Sequence, residues 1–349
     1  MVKIKNIQAL RGVAVLLVVL LHLAIIERKY GGTKPILSDI IEFGIFGVDL
    51  FFVISGFVIV TVTRGQFQDA KKALIFLYHR ASRIYPAYWV YSLLVLGVLL
   101  FNPLWVNSSQ GNQENIISSF LLLPSETLPL VMVGWTLIHE MYFYMIFFLI
   151  LMVIPERHMP LTLLFWGVGV IILNFSLESP DPFATLACHP LTLEFIGGCF
   201  LAIIYFRISD SIMENRTLLI LASVGLTASI LGYNSYQHFT GQVDPQGWWR
   251  ILIFGVPALL IVFCFIKMER NGYIAHSSLI IIGDASYSIY LSHVLTLSAA
   301  GRVWGIFSNN APYDNVVMVP MLFMLVIVVG IASYLFIEKP LLAFSRRIA

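Results

Sequence analysis

The 349-residue chain is 59% hydrophobic and only 11% charged, with a mean hydropathy of +0.87. That balance excludes a soluble globular domain, and a net charge of +2 leaves no electrostatic footprint for nucleic acid. Cys188, Cys199 and Cys264 show no metal-ligand spacing, so they read as packing thiols rather than a metal centre or a disulfide framework.

Ten apolar runs can cross a bilayer: about 7–26, 42–63, 84–101, 130–154, 161–175, 191–206, 217–233, 249–266, 279–300 and 314–336. The expected fold is an all-α polytopic membrane protein. The first run does not read as a cleaved signal, because Arg11 interrupts it and Glu27-Arg28-Lys29 follows it. No internal repeat or linker breaks the chain. A single integral-membrane domain over 1–349 is expected, with no fused soluble domain. With both termini in the cytoplasm, fifteen of the 21 Lys and Arg residues fall in inner segments and five in outer ones. The outer connections 102–129 and 176–190 contain neither residue type. This asymmetry orients the chain.

Taken in chain order, the first run carries Arg11 near its start and His22 near its outer end. Eleven residues are about three helical turns, so both project from one face roughly 16 Å apart along the axis. Ionisable groups inside a membrane helix are costly and mark functional sites. Asp49, within Gly47-Val48-Asp49-Leu50-Phe51-Phe52, lies in the outer half of the second run. Arg80 and Arg83 precede the third run in Tyr78-His79-Arg80-Ala81-Ser82-Arg83-Ile84-Tyr85-Pro86. Arginine forks suit phosphate oxygens, and Pro86 fits a helix opening. In the fourth run Thr136, Glu140 and Tyr144 form one stripe, with Trp135, His139 and Tyr142 beside it. Glu194 stands near the outer end of the sixth run, and Ser286, Tyr290 and His293 share a face of the ninth. Outer histidines and carboxylates thus offer acid–base groups, and inner arginines a phosphate site. Trp135, Glu194 and His293 are the candidates for acceptor contacts.

These segments resemble the membrane acyltransferase-3 family, closest to its exopolysaccharide (succinoglycan-type) acetyltransferase branch. The matching pieces are Arg11-Gly12 with His22, Gly47-Val48-Asp49-Leu50-Phe51-Phe52-Val53-Ile54-Ser55-Gly56-Phe57, Arg80-x-x-Arg83-Ile84-Tyr85-Pro86, Trp135-Thr136-Leu137 with Glu140 and Phe143-Tyr144, Ser286 to His293, and Glu338-Lys339-Pro340. They fall in the family's order between residues 7 and 340. The resemblance implies an enzyme of the bacterial inner membrane that moves an acyl group, usually acetyl, from cytoplasmic acyl-coenzyme A to a hydroxyl. The implied acceptor is a carbohydrate such as an exopolysaccharide or a lipid-linked sugar. It implies His22 as the catalytic histidine, Arg80 and Arg83 as contacts to the donor phosphates, and Arg11 and Asp49 as essential positions. His139 before Glu140 departs from the family pattern.

On this reading neutral His22 accepts the proton of the acceptor hydroxyl, with Asp49 or Glu140 orienting its ring. Direct transfer and an acyl-histidine intermediate are both open. Acetyl-coenzyme A is then a co-substrate; no permanently bound cofactor and no metal are expected. The rival reading is a transporter or flippase of a glycolipid or anionic solute that uses the buried charges as a proton relay.

Overall fold

Valine- and isoleucine-rich stretches such as 13–26 would be weak helix formers in water. In lipid no water satisfies the backbone, so a spanning segment must close its own hydrogen bonds, and the helix prevails. A computed structural model describes residues 4–107, 111, 113–176, 181–207, 213–308, 311 and 313–348. These form α1 (Lys5–Tyr30), α2 (Phe46–Thr63), α3 (Ala70–Phe101), α4 (Ile116–Leu121), α5 (Trp135–Val153), α6 (Met159–Ser176), α7 (Pro182–Ala187) and α8 (Thr192–Arg207). There follow α9 (Asn215–Thr240), α10 (Gly247–Arg250), α11 (Val256–Arg270), α12 (Ser277–Asp284), α13 (Ser286–Phe307), α14 (Asp314–Ser333) and α15 (Lys339–Ile348). No strand occurs among the described residues.

Nine helical stretches among them are long and apolar enough to span a membrane, ten if the bent pair α12–α13 counts as one. Every expected run is helical, and three differ in shape. The third begins at Ala70 rather than near residue 84, so Pro86 lies inside a 32-residue helix instead of opening one. The ninth bends by 71° between α12 and α13. The last continues through a π-helical turn, Tyr334–Glu338, into α15.

Packing divides the chain into two compact units: Phe52–Ser209 with Glu338–Ala349, and Val2–Phe51 with Asp210–Ile337. In the second unit α1 packs against α11, α12, α13 and α14. The Glu269 carboxylate at the end of α11 accepts from the Lys5 and Asn6 amides (2.9 and 2.6 Å), which caps the start of α1. Fully buried Asn6 adds bonds to Phe265 O, Tyr273 O and the Ala275 amide. At the other end of α1, Asn315 of α14 binds Gly32 through both backbone groups. α1 crosses α12 at backbone contact: a Cβ on Gly283 would lie 1.8 Å from Gln8 O, and one on Gly12 2.3 Å from Leu279 O. Small residues permit such approaches between membrane helices.

In the first unit α3 pairs with α5, and α6 with α8. Phe143 stacks on Phe195 and on Trp166 (centroids 4.5 and 5.4 Å apart). Gln68 N donates to Leu151 O (2.9 Å), so the chain after α2 meets the end of α5. Tyr85, Tyr88 and Trp89 of α3 each donate to a carbonyl of the α4 region (Leu121, Ser119 and Phe120).

Candidate active site

The second unit holds His22, Arg11, Asp49 and His293. His22 is half-buried at the eighteenth position of α1. Its Nδ1 lies 2.9 Å from Val18 O and 3.3 Å from Nε2 of His293. The two rings meet edge-on, with centroids 4.7 Å apart. His293 is wholly buried, and its Nδ1 is 2.6 Å from Tyr290 O. Among the described residues His22 Nε2 has no hydrogen bond. The helical face linking Ser286, Tyr290 and His293 therefore meets α1 at His22. Arg11, half-buried, reaches Gln8 Oε1 at 3.4 Å.

Asp49 is wholly buried, and both carboxylate oxygens accept from Arg250 (Nε–Oδ1 and Nη2–Oδ2, each 2.9 Å). Arg250 Nη1 also meets Asp244 Oδ1 at 3.1 Å. Burial raises the Asp244 carboxyl above its ordinary value, and the Arg250 charge partly offsets this. Asp49 thus sits in a bidentate ion pair, and the ring neighbour of His22 is His293. Arg250 counts in the sequence only as an outer-segment charge. Its place at the edge of an apolar run is the signal that could have singled it out.

The first unit holds Arg80, Arg83, Trp135, Glu140 and Glu194. Ser55 Oγ donates to Glu140 Oε1 at 2.9 Å, and the Tyr144 hydroxyl donates to the same oxygen. The Arg80 guanidinium lies over the rings of Tyr144 and Phe76, 5.8 and 5.6 Å from their centroids. Such placement favours the cation electrostatically. A chain Ser55–Glu140–Tyr144–Arg80 results. Arg80 and Arg83 belong to helical α3 rather than to a loop before it, and Arg80 stands beside the middle of α5. The i, i+3 spacing puts both guanidiniums on one face, and Arg83 is half-buried. Tyr144 and Ser55, both inside recognised motifs, acquire a role only through this contact. Trp135 meets His139 edge-on at 5.8 Å, and His139 meets His189 at 4.6 Å. Buried Glu194 lies in the first turn of α8, where the helix dipole favours a carboxylate. No cluster of three or more metal-ligating side chains occurs among the described residues.

Residues 4–336 match the acyltransferase domain family Acyl_transf_3. The exopolysaccharide production protein ExoZ of Rhizobium meliloti is 28% identical, over 87% of this chain and 91% of its own length. The acyltransferase MdmB of Streptomyces mycarofaciens is 24% identical, over 87% of this chain and 81% of its own. No solved structure matches the chain. With nearly its whole length matched and its helices apolar enough to span a bilayer, the chain belongs to the acyltransferase-3 family and is a membrane O-acyltransferase.

Proposed function

We propose that this enzyme transfers an acetyl group from cytoplasmic acetyl-coenzyme A to a hydroxyl of a carbohydrate acceptor, an exopolysaccharide or lipid-linked sugar, in the bacterial inner membrane. The observation that carries the chemistry is His22: an imidazole in a membrane helix, with Nδ1 2.9 Å from Val18 O and 3.3 Å from His293 Nε2, and with no hydrogen bond at Nε2 among the described residues. Nε2 takes the proton of the acceptor hydroxyl as its oxygen attacks the thioester carbonyl. The C–O bond forms, the C–S bond breaks, and the departing thiolate recovers that proton from the imidazolium. No protein nucleophile is required.

Arg80 and Arg83 contact the donor phosphates in this reading. Arg80 is held by the Glu140–Tyr144 chain, which leaves half-buried Arg83 as the more adaptable fork. Asp49 acts through Arg250, as a buried organiser of its unit. Arg11, Trp135 and Glu194 keep their proposed places as essential or acceptor-side groups. Carbohydrate as the acceptor is supported by similarity to the exopolysaccharide production protein. An open polar cleft of the first unit adds support, lined by Gln113, Glu114, Asn115, Ser118, Ser125 and Glu126. Its amides, hydroxyls and carboxylates match sugar hydroxyls, and desolvation raises the Glu114 carboxyl. A flippase has no need of an acyl donor and does not fit the family.

The test is transfer of labelled acetyl from acetyl-coenzyme A in membranes holding matched amounts of variants. Losing a general base costs ~10²–10⁴-fold, so His22→Ala abolishes detectable transfer while coenzyme A still raises the melting temperature of the purified protein. His139→Ala retains substantial activity. Wild-type turnover in His22→Ala with a dead His139→Ala would move the base to α5.

A further inference from the structure

We propose that the pairing of α1 with α13 sets which nitrogen of His22 is basic, with His293 the positioning residue that fixes this tautomer. The inference rests on the reading of His22 as the base. Tyr290 O can only accept, so His293 Nδ1, 2.6 Å away, carries the ring proton. A neutral imidazole has one N–H. Nε2 of His293 is therefore a lone pair, and it points at His22 Nδ1 from 3.3 Å. The other neighbour of that nitrogen is Val18 O at 2.9 Å, again an acceptor. Two acceptors face one nitrogen, so His22 Nδ1 holds the proton and Nε2 holds the lone pair needed to take a proton from a hydroxyl.

The same geometry serves the charged state. When Nε2 is protonated, the Nδ1–H of the imidazolium already faces two acceptors, and its charge is met without reorientation. In hydrolytic triads a carboxylate performs this service, holding tautomer and ring together. Here Asp49, a buried carboxylate of this unit, is bound at both oxygens by Arg250. A neutral second imidazole does the work at lower desolvation cost than another buried charge. Val18 O alone is a poor guide, because a ring turning about its Cβ–Cγ bond can leave it; His293, locked by Tyr290 O and wholly buried, provides a fixed second point.

The experiment compares His293→Leu, His293→Gln and His293→Asn with wild type and His22→Ala in steady-state acetyl transfer. KM for donor and acceptor and the melting temperature are measured alongside. The Gln carbonyl reaches the place of the lost Nε2 and accepts from His22, whereas Asn reaches only the place of Nδ1. Removing the partner that orients a metal-bound histidine typically costs roughly 10–100-fold, and a partner that orients a catalytic histidine is expected to cost a similar factor. His293→Leu and His293→Asn should therefore lose roughly that factor in kcat with both KM values unchanged, and His293→Gln should regain most of it. If His293→Leu does not fold, the Gln–Asn contrast carries the test. Equal kcat in the Gln and Asn variants, or wild-type kcat in His293→Leu, overturns the positioning role while an inactive His22→Ala leaves the base in place. Wild-type turnover in His22→Ala overturns the base itself, and the positioning role with it.

Discussion

Arg83 stands one helical turn beyond Arg80 on α3, and their surroundings separate their roles. Arg80 leans on Tyr144 and Phe76, while half-buried Arg83 remains adaptable. If Arg83 is the phosphate fork, Arg83→Ala raises the KM for acetyl-coenzyme A more than that for the acceptor. Arg83→Lys rescues only part of it, because an ammonium cannot make the bidentate contact. Equal donor KM in wild type and Arg83→Ala would remove the assignment. Asp49 and Arg250 form the opposite kind of pair, buried and geometrically complete (2.9 Å at both contacts). Breaking such a pair leaves an uncompensated charge and costs about 3–5 kcal/mol. Arg250→Leu is accordingly expected to lower the melting temperature sharply, and Asp49→Asn combined with Arg250→Leu to recover part of the loss. Thermal unfolding in detergent reads both.

Helix α3 shows where reading an element from hydropathy stops. The polar residues from His79 to Arg83 break the apolar run, so an 18-residue span looks complete from residue 84, yet the helix starts at Ala70 behind Asp69, whose side chain caps the Lys72 amide. That polar turn stays exposed at His79 and half-buried from Arg80 to Arg83, with Arg80 laid over Tyr144 of α5, and the helix runs through it. The crossing of α1 and α12 is equally invisible in composition. Gly12 and Gly283 look like ordinary membrane glycines until their Cα atoms meet the carbonyls of Leu279 and Gln8. Gly283→Ala should force the helices apart and lower the melting temperature, overpacking typically costing about 1–3 kcal/mol. Gly97→Ala, in α3 with open space around it, should be neutral or slightly stabilising, since helical glycine costs roughly 0.5–1 kcal/mol relative to alanine. Equal effects of the two substitutions would show that the crossing carries no strain-sensitive contact.

For the whole chain, the lysine and arginine asymmetry predicts a cytoplasmic Lys71 and an external connection between α3 and α5. Cysteines placed at exposed Lys71 and Glu126, in a background with Cys188 changed to Ser, should label oppositely with an impermeant thiol reagent in intact cells. Labelling of Lys71→Cys without permeabilisation would reverse the orientation and with it the cytoplasmic donor. In the second unit, the cap from the end of α11 onto the start of α1 and the Asn315–Gly32 bonds between the end of α1 and the start of α14 agree with the alternation of helix directions that the ten runs imply.

By itself the sequence determined the class of fold, the positions of the membrane runs and the family, because each rests on local properties: hydropathy over about twenty residues, charge in short connections and residue spacing within single helices. It also marked His22, Asp49 and Glu140, since a polar group in an apolar run stands out wherever it lies, and the two arginines by their spacing just ahead of one. Only the tertiary structure decided their partners. Arg250 lies 201 positions from Asp49, and His293 271 positions from His22, separations at which no periodicity connects them. A buried charge or imidazole must find a complementary group to offset its desolvation, yet which of several candidates meets it depends on how the helices pack. Packing in turn depends on backbone approaches such as that of Gly283 to Gln8, which no single-helix pattern records.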